Sequence, residues 1–137
     1  MLDAARTPSL REPASGLPRP LTIMVTARHE HTTVAIAGEV DLAVTARVQD
    51  RLHDELRLRP EALIIDLTHV TFCSSSGLSA LIEAVHDAHA RGLPCAVIAG
   101  QRAVLRPIQV LHLDRVLPIH ANRAGAEAWL SLVARLR

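Results

Sequence analysis

Two short β-branched segments open the patterned part of the chain, Thr22-Ile23-Met24-Val25-Thr26 and Thr33-Val34-Ala35-Ile36-Ala37, and they bracket the polar break His29-Glu30-His31. That arrangement predicts a hairpin with solvated residues at its turn. Gly38-Glu39-Val40-Asp41 then ends the second strand. It supplies an aspartate able to cap a helix in which Val44, Val48, Leu52 and Leu56 recur every four residues, and which stops before Pro60. Ala62-Leu63-Ile64-Ile65-Asp66-Leu67 is a continuous apolar run too short for a typical helix, so it reads as a central strand buried on both faces, with Asp66 anchoring the turn at its end.

A second helix is predicted after Ser74-Ser75-Ser76-Gly77, with Leu78, Leu81, Ile82 and Val85 on its apolar face and Ser79, Glu83 and His86 opposite. Gly92 and Pro94 end it. Cys95-Ala96-Val97-Ile98-Ala99 is another buried strand, so strand, helix and strand make a right-handed crossover between parallel or nearly adjacent strands. Val104 to Leu111 can form a short helix with Pro107 in its first turn, where a missing N–H costs little. Val116 to Ile119 is an edge strand, demoted by Pro118. Asn122 caps a last helix with Trp129, Val133 and Leu136 along one face. The expected fold is one α/β domain over residues 21–137, a small mixed β-sheet with about four helices packed mainly on one side.

Residues 1–20 hold four of the chain's eight prolines and only Leu2, Leu10 and Leu17 as large apolar residues. Such a segment cannot offset its own ordering entropy and is expected to be a flexible tail. It lacks the apolar run of a signal peptide, and no stretch of the chain approaches the roughly 20 apolar residues of a membrane span, so no direct membrane insertion is expected.

Composition removes several classes of chemistry. The 137 residues are 49% hydrophobic and 21% charged, ordinary for a folded domain. All 15 basic residues are Arg, and Lys and Tyr are absent, which excludes a Schiff-base lysine, a phosphate-loop lysine and a tyrosyl acid or base. Phe72 and Trp129 are the only aromatic rings besides histidine and the formal net charge is +1, so neither a stacking platform nor a basic footprint for nucleic acid exists. Cys73 and Cys95 imply no disulfide framework and fit a reducing cytoplasm. Neither the His29-Glu30-His31 triplet nor the His86 and His89 pair completes a metal set, and no cofactor is expected.

The informative segment runs from Asp66 to Leu78 and places Ser74, Ser75 and Ser76 where a buried strand hands over to a helix. The N–H groups and positive dipole end of that helix can hold an anion, so a phosphorylated serine would be tolerated there. Serines that merely cap the helix would satisfy the same pattern. Cys73 after His69 invites a thiol-nucleophile reading, and Ser75 a hydrolase one. The nucleophile-elbow pattern Gly-x-Ser-x-Gly is missing, however, and no Arg stands near Cys73 in sequence to lower its pKa.

Together, Phe72-Cys73-Ser74-Ser75-Ser76-Gly77-Leu78, the upstream Gly38-Glu39-Val40-Asp41 and the downstream Leu113-Asp114-Arg115-Val116-Leu117 resemble a STAS domain. The likeness extends from about Leu21 to Leu136 and is greatest to the bacterial anti-sigma factor antagonists. In that family an Asp-Ser-Ser-Gly junction opens the helix, and its first serine is phosphorylated by the partner anti-sigma factor, a serine kinase. The resemblance implies that Ser75 is the acceptor, with Ser74 and Ser76 the lesser candidates. It also implies a partner-binding face of Gly38, Glu39, Asp41, Ser74, Ser75, Ser76, Gly77 and Ser79.

Binding of the unmodified chain would free a sigma factor, phosphorylation would end the binding, and a serine phosphatase would restore it. The implied protein is a regulator and not an enzyme. A STAS subunit of a lipid-transport or stress-signalling complex, without sigma-factor control, is the other reading within the fold. Two positions depart from the family pattern: Ser74 replaces its acidic residue, and His112 stands where many relatives carry glycine. Histidine can adopt the left-handed conformation at some cost.

Overall fold

The computed structural model describes residues 21–136, and the tail expected over residues 1–20 lies outside them. Five strands form one sheet in the order β1-β2-β3-β4-β5: β1 (Thr22–Ala27), β2 (Thr32–Val40), β3 (Leu63–Cys73), β4 (Cys95–Ile98) and β5 (Ile119–His120). β1 pairs antiparallel with β2 as the predicted hairpin, and every other neighbouring pair is parallel, so the sheet is mixed. The helices are α1 (Thr45–Arg57), α2 (Ser75–Ala90), α3 (Arg102–Val110) and α4 (Arg123–Leu136).

Alternation along the strands divides the core. Val34, Ile36, Leu63, Ile65, Leu67 and Val97 face Val48, Leu52 and Leu56 of α1, Leu78 and Leu81 of α2, and Val104 and Ile108 of α3. The opposite face carries Ile64, Ala96 and Ile98 against Ala126, Trp129 and Leu130 of α4 alone. Three helices therefore cover one face and one the other, and each fully buried Leu or Ile contributes about 1.5–3 kcal/mol.

Several boundaries differ from the sequence expectation. β3 runs on to Cys73, so Asp66 lies within the strand, where its carboxylate accepts from the Thr68 N–H. β4 pairs β3 only as far as Asp66. Beyond it, the Gln101 amide donates to the carbonyls of Leu67 and Val70 at 2.6 and 2.7 Å and occupies an edge that β4 leaves open. Pro107 lies inside α3 rather than in its first turn. An interior proline costs about 3 kcal/mol; full burial of Val104 and Ile108 offsets that loss. The edge strand is Ile119–His120, just past Pro118, whose carbonyl accepts from Val97 N–H at 2.9 Å.

In α4 the Asn122 side chain caps Gly125 N–H at 2.8 Å as expected. The packed face is Ala126, Trp129 and Leu130, while Leu136 is 79% exposed. His31 is not the solvated turn residue of the sequence reading. It is 8% exposed, with Nε2 3.5 Å from Glu127 of α4, because the hairpin turn folds against that helix.

The end of α2 is a glycine cap. Gly92 has φ +69°, and Leu93 N–H reaches back to Ala88 O at 2.9 Å. His112, directly after the α3 cap residue, has φ 58° and ψ 29°, the left-handed conformation that the missing glycine implied. A non-glycine residue there costs about 1–2 kcal/mol, of which the added chain entropy of glycine takes back about 0.5–1. His112→Gly should therefore raise stability by about 0.5–1 kcal/mol. A urea midpoint that stays put or falls would contradict this account.

Candidate functional site

The site forms where β3 ends. The parallel ladder carries Val40 opposite Cys73, and Ser74 N–H then donates to Val40 O at 2.9 Å, closing the strand pair as the chain turns into α2. Ser74 is the N-cap, with extended backbone (φ −73°, ψ 170°) and Oγ accepting from Gly77 N–H at 3.2 Å. Gly77 is buried here through close approach rather than an unusual dihedral. A Cβ on it would lie 2.8 Å from Val40 Cγ1 and 2.9 Å from Cys73 Sγ.

The three serines are not equivalent. Ser76 Oγ lies 2.9 Å from Ser74 Oγ and 3.0 Å from Thr45 Oγ1, and Thr45 donates onward to Asp41 O at 2.9 Å. Ser74 and Ser76 are half-buried, whereas Ser75 is exposed at the first residue of α2 and its hydroxyl enters none of these hydrogen bonds. Ser79, one turn on, is exposed above it. No acidic side chain stands in the first turn of α2, so the positive end of the helix is uncompensated by its own residues.

The Gly38 to Asp41 segment lies beside this helix start. Gly38 is buried at a register irregularity with φ 109°, a backbone geometry that disfavours other residues. Glu39 is half-buried and pairs in register with Phe72. Asp41 does not cap α1 itself. A turn intervenes, Val44 is the N-cap residue, and Asp41 Oδ1 accepts from Val44 N–H at 3.3 Å. The structure thus brings Asp41, through Thr45, together with Ser74, Ser75, Ser76 and Ser79 at one helix start, with Gly77 packed beneath against Val40; Gly38 and Glu39 lie on the adjoining strand, and Glu39 alternates with Val40 onto the other face of the sheet.

Two residues of this region, Thr45 and Leu42, escaped the sequence reading. Thr45 joins the two segments through its hydroxyl, a contact between positions 31 apart that no local pattern announces. Leu42, in the turn before α1, is 78% exposed, and Phe72, near the end of β3, is 49% exposed. For Leu42 the available signal was an apolar side chain in a turn that no core periodicity claims.

The geometry gives little to a hydrolase. Burial pushes the Cys73 thiol up to about 11, and that of Cys95 to about 12, so both are overwhelmingly protonated at neutral pH. In the folded chain both should resist iodoacetamide at pH 7, with Cys73 labelling rising as pH approaches 11; rapid labelling of native protein at pH 7 would revive the thiol-nucleophile reading. Among the described residues no group of three or more His, Cys, Asp and Glu side chains could hold a metal, and no helix is long and apolar enough to cross a membrane.

Residues 22–126 match the family model of the STAS domain. The chain is 29% identical over 105 residues to the anti-sigma-F factor antagonist RsfB of Mycobacterium tuberculosis, covering 77% of this chain and 85% of that protein. An anti-sigma factor antagonist from Mycobacterium paratuberculosis has a similar structure, with 25% identity and a TM-score of 0.73 over 82% of this chain and 95% of the other. A sulfate transporter family protein from Wolinella succinogenes shares the fold, with 17% identity and a TM-score of 0.67 over 80% and 92% of the two chains.

Proposed function

The chain belongs to the STAS domain family, and on that footing we propose that it is an anti-sigma factor antagonist switched by phosphorylation of Ser75. In the unmodified state, the surface made by Asp41 and the start of α2 docks on an anti-sigma factor that is also a serine kinase, and a sigma factor is released. The kinase then transfers the γ-phosphoryl group of ATP to Ser75 Oγ. The new Oγ–P bond replaces the bond to the bridging oxygen, ADP leaves, and the hydroxyl proton passes to a base on the kinase. ATP and its divalent metal belong to that partner, so this chain itself is a binding protein of the cytoplasm without catalytic activity.

The observation that carries this reading is Ser75 itself, an exposed hydroxyl at the N-terminus of a 16-residue helix, outside the hydrogen-bonded set that occupies its two neighbours. The likeness to named anti-sigma factor antagonists supports the partner class. A serine phosphatase would reset the switch.

The test is to mix the full chain with the serine kinase that copurifies with it and Mg-ATP, then locate phosphate by peptide mass spectrometry. Phosphate on Ser75 with loss of the complex is the expected result. Copurification of a transporter subunit in place of a kinase, or modification confined to Ser74 or Ser76, would overturn it.

A further inference from the structure

We infer that Thr45 is a positioning residue that confines phosphoryl transfer to Ser75 by tying down the hydroxyl of Ser76. The inference rests on the functional reading above and adds the device that selects among three adjacent, chemically equal serines.

The direction of every proton in the chain of hydroxyls follows by elimination. Thr45 has one hydroxyl proton and donates it to Asp41 O at 2.9 Å. The 3.0 Å contact between Thr45 and Ser76 must therefore be donated by Ser76. With that proton committed, the 2.9 Å contact between Ser76 and Ser74 must be donated by Ser74, whose oxygen accepts from Gly77 N–H. The chain runs from Gly77 N–H through Ser74, Ser76 and Thr45 to the Asp41 carbonyl, and each member is satisfied. Transfer to Ser76 would require this half-buried hydroxyl to leave both partners and give up its donated proton. Transfer to Ser75 disturbs none of these bonds.

The departure from the family pattern at position 74 makes Thr45 matter. An aspartate there would only accept, so Ser76 would turn its proton to that carboxylate and Thr45 would lose its donor. A serine at 74 instead passes the chain on, and Thr45 becomes the link that holds Ser76 and joins the start of α1 to the start of α2.

The test phosphorylates the wild-type chain, Thr45→Val, Thr45→Ala, Thr45→Ser, Ser74→Asp and the double variant Ser74→Asp/Thr45→Val with the copurifying kinase and Mg-ATP. Site occupancy is read by fragmentation mass spectrometry, after thermal denaturation has established which variants fold. In wild type, phosphate should appear on Ser75, with Ser76 holding no more than a trace share. In Thr45→Val and Thr45→Ala, the Ser76 share should rise by about tenfold, the worth of roughly one hydrogen bond. Thr45→Ser should restore the wild-type distribution. In the Ser74→Asp background, Thr45→Val should change nothing.

Unaltered site choice in every folded Thr45 variant, with wild type phosphorylated on Ser75, would overturn this inference and leave the functional reading standing. Absence of phosphate from wild type would overturn both. A general loss of phosphorylation without redistribution would mark Thr45 as merely structural and equally defeat the assignment.

Discussion

Ser75→Glu should weaken association with the anti-sigma factor by about a hundredfold, whereas Ser75→Ala should bind as the unmodified chain does and no longer dissociate when ATP is added. A phosphoserine brings about −1.5 to −2 charges, and one like charge opposed at about 4 Å in a medium of effective dielectric about 20 costs roughly 4 kcal/mol. Relaxation and salt reduce this to about 3 kcal/mol, on the order of a hundredfold in affinity. Glutamate carries less charge and marks the lower end of the effect.

The penalty belongs to the interface and not to the fold. A negative group at Ser75 meets the positive end of α2, whose first turn holds no acidic side chain. Stability should hold or rise by about 0.3–1 kcal/mol. Isothermal titration of the partner, paired with urea denaturation of the free variants, separates the two contributions. Equal binding by wild type and Ser75→Glu would sink the electrostatic account, and so would a loss of binding that follows unfolding. The difference should also narrow as salt is raised, since exposed charges are screened.

Gly77→Ala should destabilise the domain by about 1–3 kcal/mol, the usual cost of overpacking. The sign is informative, because glycine in a helix interior is about 1 kcal/mol worse than alanine and an unhindered site would be stabilised. At this position the new methyl group would sit 2.8 Å from Val40 Cγ1, 2.9 Å from Cys73 Sγ and 3.3 Å from Val40 O. Val40 and Cys73 are buried in the core, and the carbonyl is held by Ser74 N–H, so neither side yields cheaply. The start of α2 would be pushed away from β2, carrying Ser74, Ser75 and Ser76 with it. A fall in urea midpoint alongside weakened partner binding is expected. A gain in stability would mean that the junction is looser than its distances imply.

Much of this architecture is legible along the chain. The β-branched segments at 22–26 and 33–37, the apolar run at 63–67 and the four-residue spacing of Val48, Leu52 and Leu56 commit those stretches through nearest-neighbour sterics and burial period alone. The serines at the strand-to-helix junction are visible for the same reason, since a helix start announces itself by capping chemistry. The left-handed turn at His112 is anticipated by the resemblance, which implies a position where many relatives have glycine.

What the chain alone settled is therefore local: which segments are strands and helices, where the hydroxyls cluster, and which chemistries the missing Lys and Tyr exclude. Only the tertiary structure decided the extension of β3 under Gln101, the tolerance of Pro107 above buried Val104 and Ile108, the burial of His31 against α4, and the hydrogen bond that ties Ser76 to Thr45. Each of these depends on a partner brought close from a distant part of the chain or on packing across elements. Propensity and period describe a residue's own neighbourhood, whereas a hydrogen bond across 31 positions exists only once the fold has brought its two ends together.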